Sequence, residues 1–345
     1  GRLGDSNWDP RQAGPMLAEK AQAYIRRQAS AAPKQSFFIY YSSQAVHIPH
    51  TPPAELDGVK LAGTTPGPHG DMVRELDVQV GMLISALNEA GVHDNTLFIF
   101  TSDNGGLAAD PEAKELGHDP TDGWRGLKGQ VTEGGHRGPF IATWPGVIAP
   151  NTRSEELISA LDTVATIAAV TGQAIYRAEV MDSVDLLPLF RQEPGAEGHA
   201  VLVHYNSKGH AALRQGDWKL HVFGKKFKNL KPTHLFNLAQ NPDEDEARDV
   251  SSSPDLQQRI QALVRTLWVS VKTGTVSAGG FDSAVLSERS GGPIGRHASH
   301  SDSIRRRQNH PVDTGKSTPW RPPGTVGVMV CLLYTSDAAD DSVYV

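Results

Sequence analysis

Two short apolar blocks, SFFIYY at 36–41 and TLFIFT at 96–101, stand on either side of a helical stripe, and this order limits the fold more than any other feature. Each block has strand length and is rich in aromatic and β-branched residues. Between them Val73, Leu76, Val80, Leu83, Ile84 and Leu87 recur at helical spacing, with Gly91 as a natural C-terminal stop. Strand, helix and strand in succession predict a parallel sheet covered by helices, because parallel strands buried on both faces are apolar throughout. PFIATWP, 139–145, is a third candidate strand. Upstream, Asp9-Pro10 opens a helical stretch on which Leu17, Ala21, Tyr24 and Ile25 share a face, and Pro33 ends it. A further helix around Asp162 to Val170 stops at Gly172.

After about residue 190 the texture changes. AVLVHY (200–205), AALRQ (211–215) and DWKLHVF (217–223) are short blocks separated by glycine turns, which predicts a small antiparallel sheet. Ser253-Pro254-Asp255 starts a helix whose buried stripe is Leu256, Ile260, Leu263, Val264 and Leu267. From about Gly274 to Pro323 the chain is rich in Ser, Gly, Arg and His with little periodicity, and reads as a tail or linker. The expected division is therefore a first α/β unit over 1–190, an α+β subdomain over 191–273 and a disordered or out-of-frame tail over 274–330.

Composition narrows the function. The 345 residues carry 33 basic and 39 acidic side chains, a net charge of −6, which gives no reason to expect nucleic acid as a partner. No apolar run approaches the roughly 20 residues of a membrane span, and no signal peptide opens the chain. The single cysteine, Cys331, excludes a disulfide framework and a thiolate metal cluster.

The second apolar block runs into Asp103, Asn104, Gly105 and Gly106. In open α/β sheets ligands bind outside the carboxyl ends of the strands. A carboxylate and an amide oxygen are hard donors of the kind Ca²⁺ or Mg²⁺ prefers. The alternative is an ordinary turn, for which Asp-Asn-Gly is a common tripeptide. The first block runs into His47-Ile48-Pro49-His50, where an imidazole can give a proton to a leaving group or bind an anion. A third segment, GWRGLKGQVTEGGHRGPF at 123–140, holds Lys128, His136 and Arg137 among six glycines. Such a loop suits an anionic substrate beside a metal, or is an exposed basic loop. Together the three segments fit hydrolysis of a sulfate or phosphate ester, with metal and cations offsetting the charge of the transferring group.

FFIYYSSQAVHIPHTPP, TLFIFTSDNGG and GWRGLKGQVTEGGHRGPFIATWPG resemble, in order and spacing, the motifs of the sulfatase family, and DWKLHVF followed by HLFNLAQNPDEDEARDV resembles its C-terminal subdomain. The resemblance covers roughly residues 8 to 270. It implies an alkaline-phosphatase-like α/β sandwich, incomplete at its N-terminal side, with a smaller C-terminal subdomain of antiparallel sheet plus helix. It implies Ca²⁺, with Mg²⁺ as the alternative, held in part by Asp103 and Asn104. It further implies a sulfate pocket contacted by His47 and Lys128, with His50, His136 and Arg137 in the matching loops as substrate-binding positions. Trp124 and Arg125 read as supports of the loop. The implied substrate is a sulfated small molecule or polysaccharide, and the implied location is periplasmic or secreted.

The departure from the family pattern lies in the nucleophile. The family uses a formylglycine made within C/S-x-P-x-R, N-terminal to the motifs found here, and two further acidic calcium ligands also lie upstream. Neither that motif nor such an acidic pair stands N-terminal to the quoted motifs in this sequence, where S-x-P-x-R occurs only downstream at Ser317–Arg321, and GRLGDSNWDP opens without an initiator Met. The expectation is a C-terminal portion of a sulfatase, inactive alone. CLLYTSDAADD, 331–341, resembles a translated sequencing-library adapter, so 331–345 are expected to carry no function. Two alternatives stand beside the sulfatase reading: a phosphonate or phosphodiester hydrolase of the same superfamily, and an anion-binding pseudoenzyme without a nucleophile. The loops 58–70 and 108–122 are candidate substrate-facing segments on length and composition.

Overall fold

A computed structural model describes residues 8–31, 36–175, 180–206, 208–224, 229–273 and 327–333. The first unit begins with α1 (Ala13–Ala31), β1 (Phe37–Ser43) and a two-stranded hairpin of β2 (Glu55–Leu56) and β3 (Val59–Lys60). It continues with α2 (Pro68–Glu89), β4 (Thr96–Ser102), α3 (Pro111–Glu115), α4 (Glu133–His136), β5 (Phe140–Thr143), α5 (Asp162–Thr171) and α6 (Leu187–Phe190). A second unit holds β6 (Leu202–Tyr205), β7 (His210–Gln215), β8 (Trp218–Phe223), β9 (Lys231–Asn237) and α7 (Gln257–Thr273). β10 (Gly327–Leu333) joins the first sheet.

That sheet has the order β1-β10-β4-β5. β1, β10 and β4 are parallel, as the strand–helix–strand order predicts, whereas β5 runs antiparallel to β4. β4 shows why its block is apolar at every position. Phe98 faces a core with Ile25, Phe37, Tyr41, Leu83 and Leu87, while Leu97 and Ile99 face another with Trp144, Val170 and Leu187. Successive strand residues point to opposite faces, so a layer on each face demands apolar residues throughout. Burying each such side chain contributes about 1.5–3 kcal/mol. β1 is covered on one face only: Phe38 and Tyr40 are exposed.

The helical stripe of α2 is turned slightly from its expected position. Met72 is buried and Val73 is exposed, while Leu76, Leu83 and Leu87 point inward as expected. α1 and α2 approach closely at Gly14, where a β-carbon would lie 2.0 Å from Glu75 Oε1. α5 ends as its sequence predicts, with Gly172 left-handed at φ 67°. The expected stop at Pro33 lies outside the described residues.

The expected tail departs from the structure at GVMVCLL. Residues 327–333, including Cys331, form the strand between β1 and β4. A run of seven residues without a charge meets the requirement of a parallel strand flanked on both sides. The remainder of 274–345 lies outside the described residues.

The second unit is an antiparallel sheet in the order β6-β7-β8-β9 with α7 against it. Its core contains Leu213, Leu220, Val222 and Leu235 from the sheet and Ile260, Leu263 and Leu267 from α7, on the stripe expected for that helix.

Candidate functional site

The C-terminal ends of β1 and β4 leave the sheet at the same edge, since Ser43 and Ser102 both stand in register with Leu333. Two strand spacings separate them, about 10 Å. The His47 loop therefore rises beside the Asp103–Asn104 turn with β10 between.

The 123–138 loop folds back onto that turn through its backbone. The Lys128 amide donates to the Gly106 carbonyl at 2.9 Å, and the Gly105 amide to the Gly135 carbonyl at 3.0 Å. This approach leaves no room for side chains. A β-carbon on Gly105 would lie 2.0 Å from the Gly134 carbonyl oxygen, and one on Gly135 2.2 Å from that of Gln130. Gly134 and Gly135 of that loop, and Gly105 on the turn, are thus required by packing of backbone on backbone, whereas Gly123 and Gly129 have open space. Asn104 Nδ2 donates to the Gly105 carbonyl at 2.7 Å, which fixes the amide and leaves Oδ1 as its acceptor.

Asp103 and Asn104 thus supply two hard oxygen donors on adjacent residues, the right kind for Ca²⁺ or Mg²⁺. Among the described residues no group of three His, Cys, Asp or Glu side chains is placed to hold a metal. The pair fits such an ion in chemistry and provides only part of a shell of about six to eight oxygens.

His47 lies on the loop after β1, with Nδ1 2.5 Å from the Ile48 carbonyl oxygen. A carbonyl only accepts, so this nitrogen carries the proton, and Nε2 donates only in the imidazolium. His50 faces elsewhere. Its Nδ1 is 3.7 Å from Asp110 Oδ1, its ring lies 4.8 Å from that of His69, and its Nε2 is buried without a hydrogen-bond partner among the described residues. Asp110 Oδ2 accepts from the His69 amide at 2.9 Å, so the 58–70 and 108–122 segments meet here. They line a cavity of about 390 Å³ that includes Thr65, His69, Asp110 and His118. Burial, then the neighbouring His50, lowers the His69 pKa.

His136 and Arg137 line an open cleft of about 1740 Å³ together with Asp103, Glu133 and Arg214. His136 is stacked on His204 at 3.6 Å, and its Nε2 lies 3.2 Å from both the Val131 carbonyl oxygen and Lys219 Nζ. One nitrogen serves either as donor to the first or as acceptor from the second. Burial, then the Lys219 charge, pushes His136 down to about 3, so it is neutral at ordinary pH and not an anion-binding cation. The Arg137 guanidinium lies 4.0 Å over the Trp124 ring, consistent with Trp124 as a support. Arg125 Nη1 donates to the Glu244 carbonyl at 2.6 Å, and its other nitrogen meets the Glu246 carboxylate.

Sequence reasoning missed a buried ionic cluster behind this loop. Lys219 Nζ lies 2.7 Å from Glu133 Oε1 and 3.1 Å from Glu244 Oε1, and His221 Nε2 lies 2.7 Å from Glu244 Oε1. Burial works to raise the Glu133 carboxyl, but Lys219 and Arg214 more than offset it and hold it below its ordinary value. Glu244 is held down in the same way by His221 and Lys219. The available signal was in DWKLHVF: Lys219 and His221 alternate with Leu220 and Val222, a pattern ordinarily read as a solvent face.

Comparison with known proteins places this arrangement. Its fold is alkaline-phosphatase-like, shared with a sulfatase solved in connection with metabolism of multiple glycosaminoglycans by Bacteroides thetaiotaomicron (27% identity, TM-score 0.65, covering 77% of this chain and 55% of that one). A sulfatase from a Pseudoalteromonas species shares the fold at 23% identity and TM-score 0.60, covering 76% of this chain and 53% of that one. Residues 10–173 match the sulfatase family model. Arylsulfatase A of Bos taurus is 36% identical over 218 residues, 61% of this chain and 40% of that protein. An N-acetylgalactosamine-6-O-sulfatase of Bacteroides thetaiotaomicron is 30% identical over 217 residues, again 61% and 40%. The chain thus spans about 40% of the length of these curated relatives. No helix among the described residues is long and apolar enough to cross a membrane.

Proposed function

We propose that this chain is the part of an arylsulfatase-like sulfuric ester hydrolase that carries the sulfate-binding loops and one side of a calcium site. The observation that carries the reading is the Lys128 amide bonded to the Gly106 carbonyl at 2.9 Å, which brings a cation-bearing loop onto the Asp103–Asn104 turn. Asp103 and Asn104 would hold Ca²⁺, with Mg²⁺ as the alternative; a divalent ion there supplies positive charge to the sulfate oxygens. The Lys128 ammonium offsets charge on the ester group, and the His47 imidazolium donates from Nε2 to an ester oxygen. Arg137, braced on Trp124, adds a second cation at the cleft. The reading requires a formylglycine nucleophile, which these loops do not supply. The match of residues 10–173 to the sulfatase family model supports a sulfated small molecule or polysaccharide as substrate and a periplasmic or secreted location.

The test is turnover of 4-nitrophenyl sulfate against bis-4-nitrophenyl phosphate by the whole gene product. The sulfate ester is the expected substrate, with Lys128→Ala or His47→Ala lowering kcat/KM by about 10²–10³. Preference for the phosphodiester would favour the related hydrolase, and wild-type turnover in the Lys128 and His47 variants would remove both residues from the site.

A further inference from the structure

The geometry points to Lys219 and Glu244 of the second unit as positioning residues that clamp both ends of the Lys128 loop and so set where Lys128 stands against Asp103 and Asn104. The inference rests on the sulfatase reading for the role of Lys128, and on the coordinates for the clamp.

Lys128 lies between Arg125 and Glu133, and a single residue of the second unit holds both. The Glu244 carbonyl accepts from Arg125 Nη1 at 2.6 Å, and Glu244 Oε2 accepts from the Glu133 amide at 2.6 Å. Lys219 then ties the two carboxylates together, since its ammonium is within 2.7 Å of Glu133 Oε1 and 3.1 Å of Glu244 Oε1. Glu133 Oε2 is 3.3 Å from both Arg214 and Arg137. Lys219 and Glu244 are fully buried and Glu133 nearly so. On its other side the loop is bonded to the β4 turn through Gly105 and Gly106. The loop is therefore gripped between two units.

Charge makes the grip specific. Without the Lys219 ammonium, Glu133 Oε1 and Glu244 Oε1 lose the cation that bridges them where water does not screen them. Arg214 and Arg137 remain only at 3.3 Å from Glu133 and His221 on Glu244, so the two carboxylates are driven apart or one takes up a proton. Glu133 heads α4 and its amide is bonded to Glu244 Oε2, so parting the two carboxylates pulls on the 125–135 backbone. An apolar contact at the same place would loosen without this directed displacement.

Three variants of the full chain test the clamp: Lys219→Met, Lys219→Met with Glu133→Gln, and Leu263→Ala in the apolar core of the second unit as a control. Residue-resolved amide hydrogen exchange reads the loop. Binding of inorganic sulfate, followed by the side-chain NMR signal of Lys128, reads the site. Lys219→Met is expected to speed exchange over 125–135 and to weaken sulfate binding, each by about tenfold. The double variant, with charge rebalanced, is expected to recover part of both, and Leu263→Ala to leave both within about twofold. Equal effects of Lys219→Met and Leu263→Ala on the loop, or unchanged loop exchange in Lys219→Met, would overturn the clamp. If the wild-type chain takes no sulfate at Lys128, the site reading fails, while the exchange data still decide the clamp. Should Lys219→Met not fold, Glu244→Gln is read by the same criteria.

Discussion

Gly105 and Gly135 are joined by a backbone hydrogen bond of 3.0 Å, and neither has space for a β-carbon. The bond fastens the 123–138 loop to the strand end that carries Asp103. Gly135→Ala places a methyl group 2.2 Å from the Gln130 carbonyl oxygen, so the backbone must move. The expected outcome is a loss of about 1–3 kcal/mol in urea unfolding, together with weakened sulfate and calcium binding. Gly146→Ala, at a glycine with open space and φ 77°, is the contrasting case: strain of similar size and no effect on either ligand.

Glu75 is buried between α1 and α2 and accepts a hydrogen bond from Gln79 at 2.8 Å. Burial raises its pKa from 4.5 to about 7. Below the unfolded value both states are protonated and the residue is neutral to stability. As pH rises toward 7 the unfolded chain ionises and the folded one does not, so stability falls with pH across that window. Glu75→Gln should flatten this dependence and stabilise the protein at pH 8 by about 1–3 kcal/mol, measured as unfolding midpoints across pH.

Asp162 is fully buried and accepts from the Ser159 amide at 2.7 Å and the Val184 amide at 2.9 Å, with His199 Nε2 at 2.8 Å. It ties the start of α5 to two later segments. Asp162→Ala leaves one buried and two part-buried donors without their acceptor and is expected to cost about 3–5 kcal/mol, read by thermal or urea unfolding.

His136 carries the opposite pH signature to Glu75. With its folded pKa pushed down to about 3, protons favour the unfolded chain as pH falls below 6.5. Stability attached to this imidazole is full above that value and is lost progressively toward pH 3. Its ring proton shifts in an NMR titration should stay at the neutral position at pH 5, where an exposed histidine is already charged.

The strands and helices that position the site were legible because their apolar residues recur with the period of the element. β4 and α7 are the clearest cases. Strand direction is not written in that period, so the antiparallel course of β5 was not foreseen. Nor does periodicity distinguish a short apolar run in an aperiodic stretch from a strand that completes a sheet, as Gly327–Leu333 does. At the site, the ends of β1 and β4 and the Lys128 loop were found from residue chemistry and family likeness. His136 shows the limit of that reading. A histidine in a glycine-rich loop looks like a cation at a pocket, and only the packing of His204 and Lys219 against it makes it neutral. Lys219 was invisible for the converse reason: polar alternation on a strand looks the same whether the polar face meets water or another part of the chain.

The ionic seam has a calorimetric consequence. Among the described residues the apolar core of the second unit contains none from the first, and the groups that join the two include Arg125, Glu133, Arg214, Lys219 and Glu244. Exposing apolar surface raises the heat capacity of unfolding, and exposing polar surface lowers it. Parting the units while each keeps its own core would therefore absorb heat with almost no step in the baseline. The large positive steps would come only later, when the cores themselves melt.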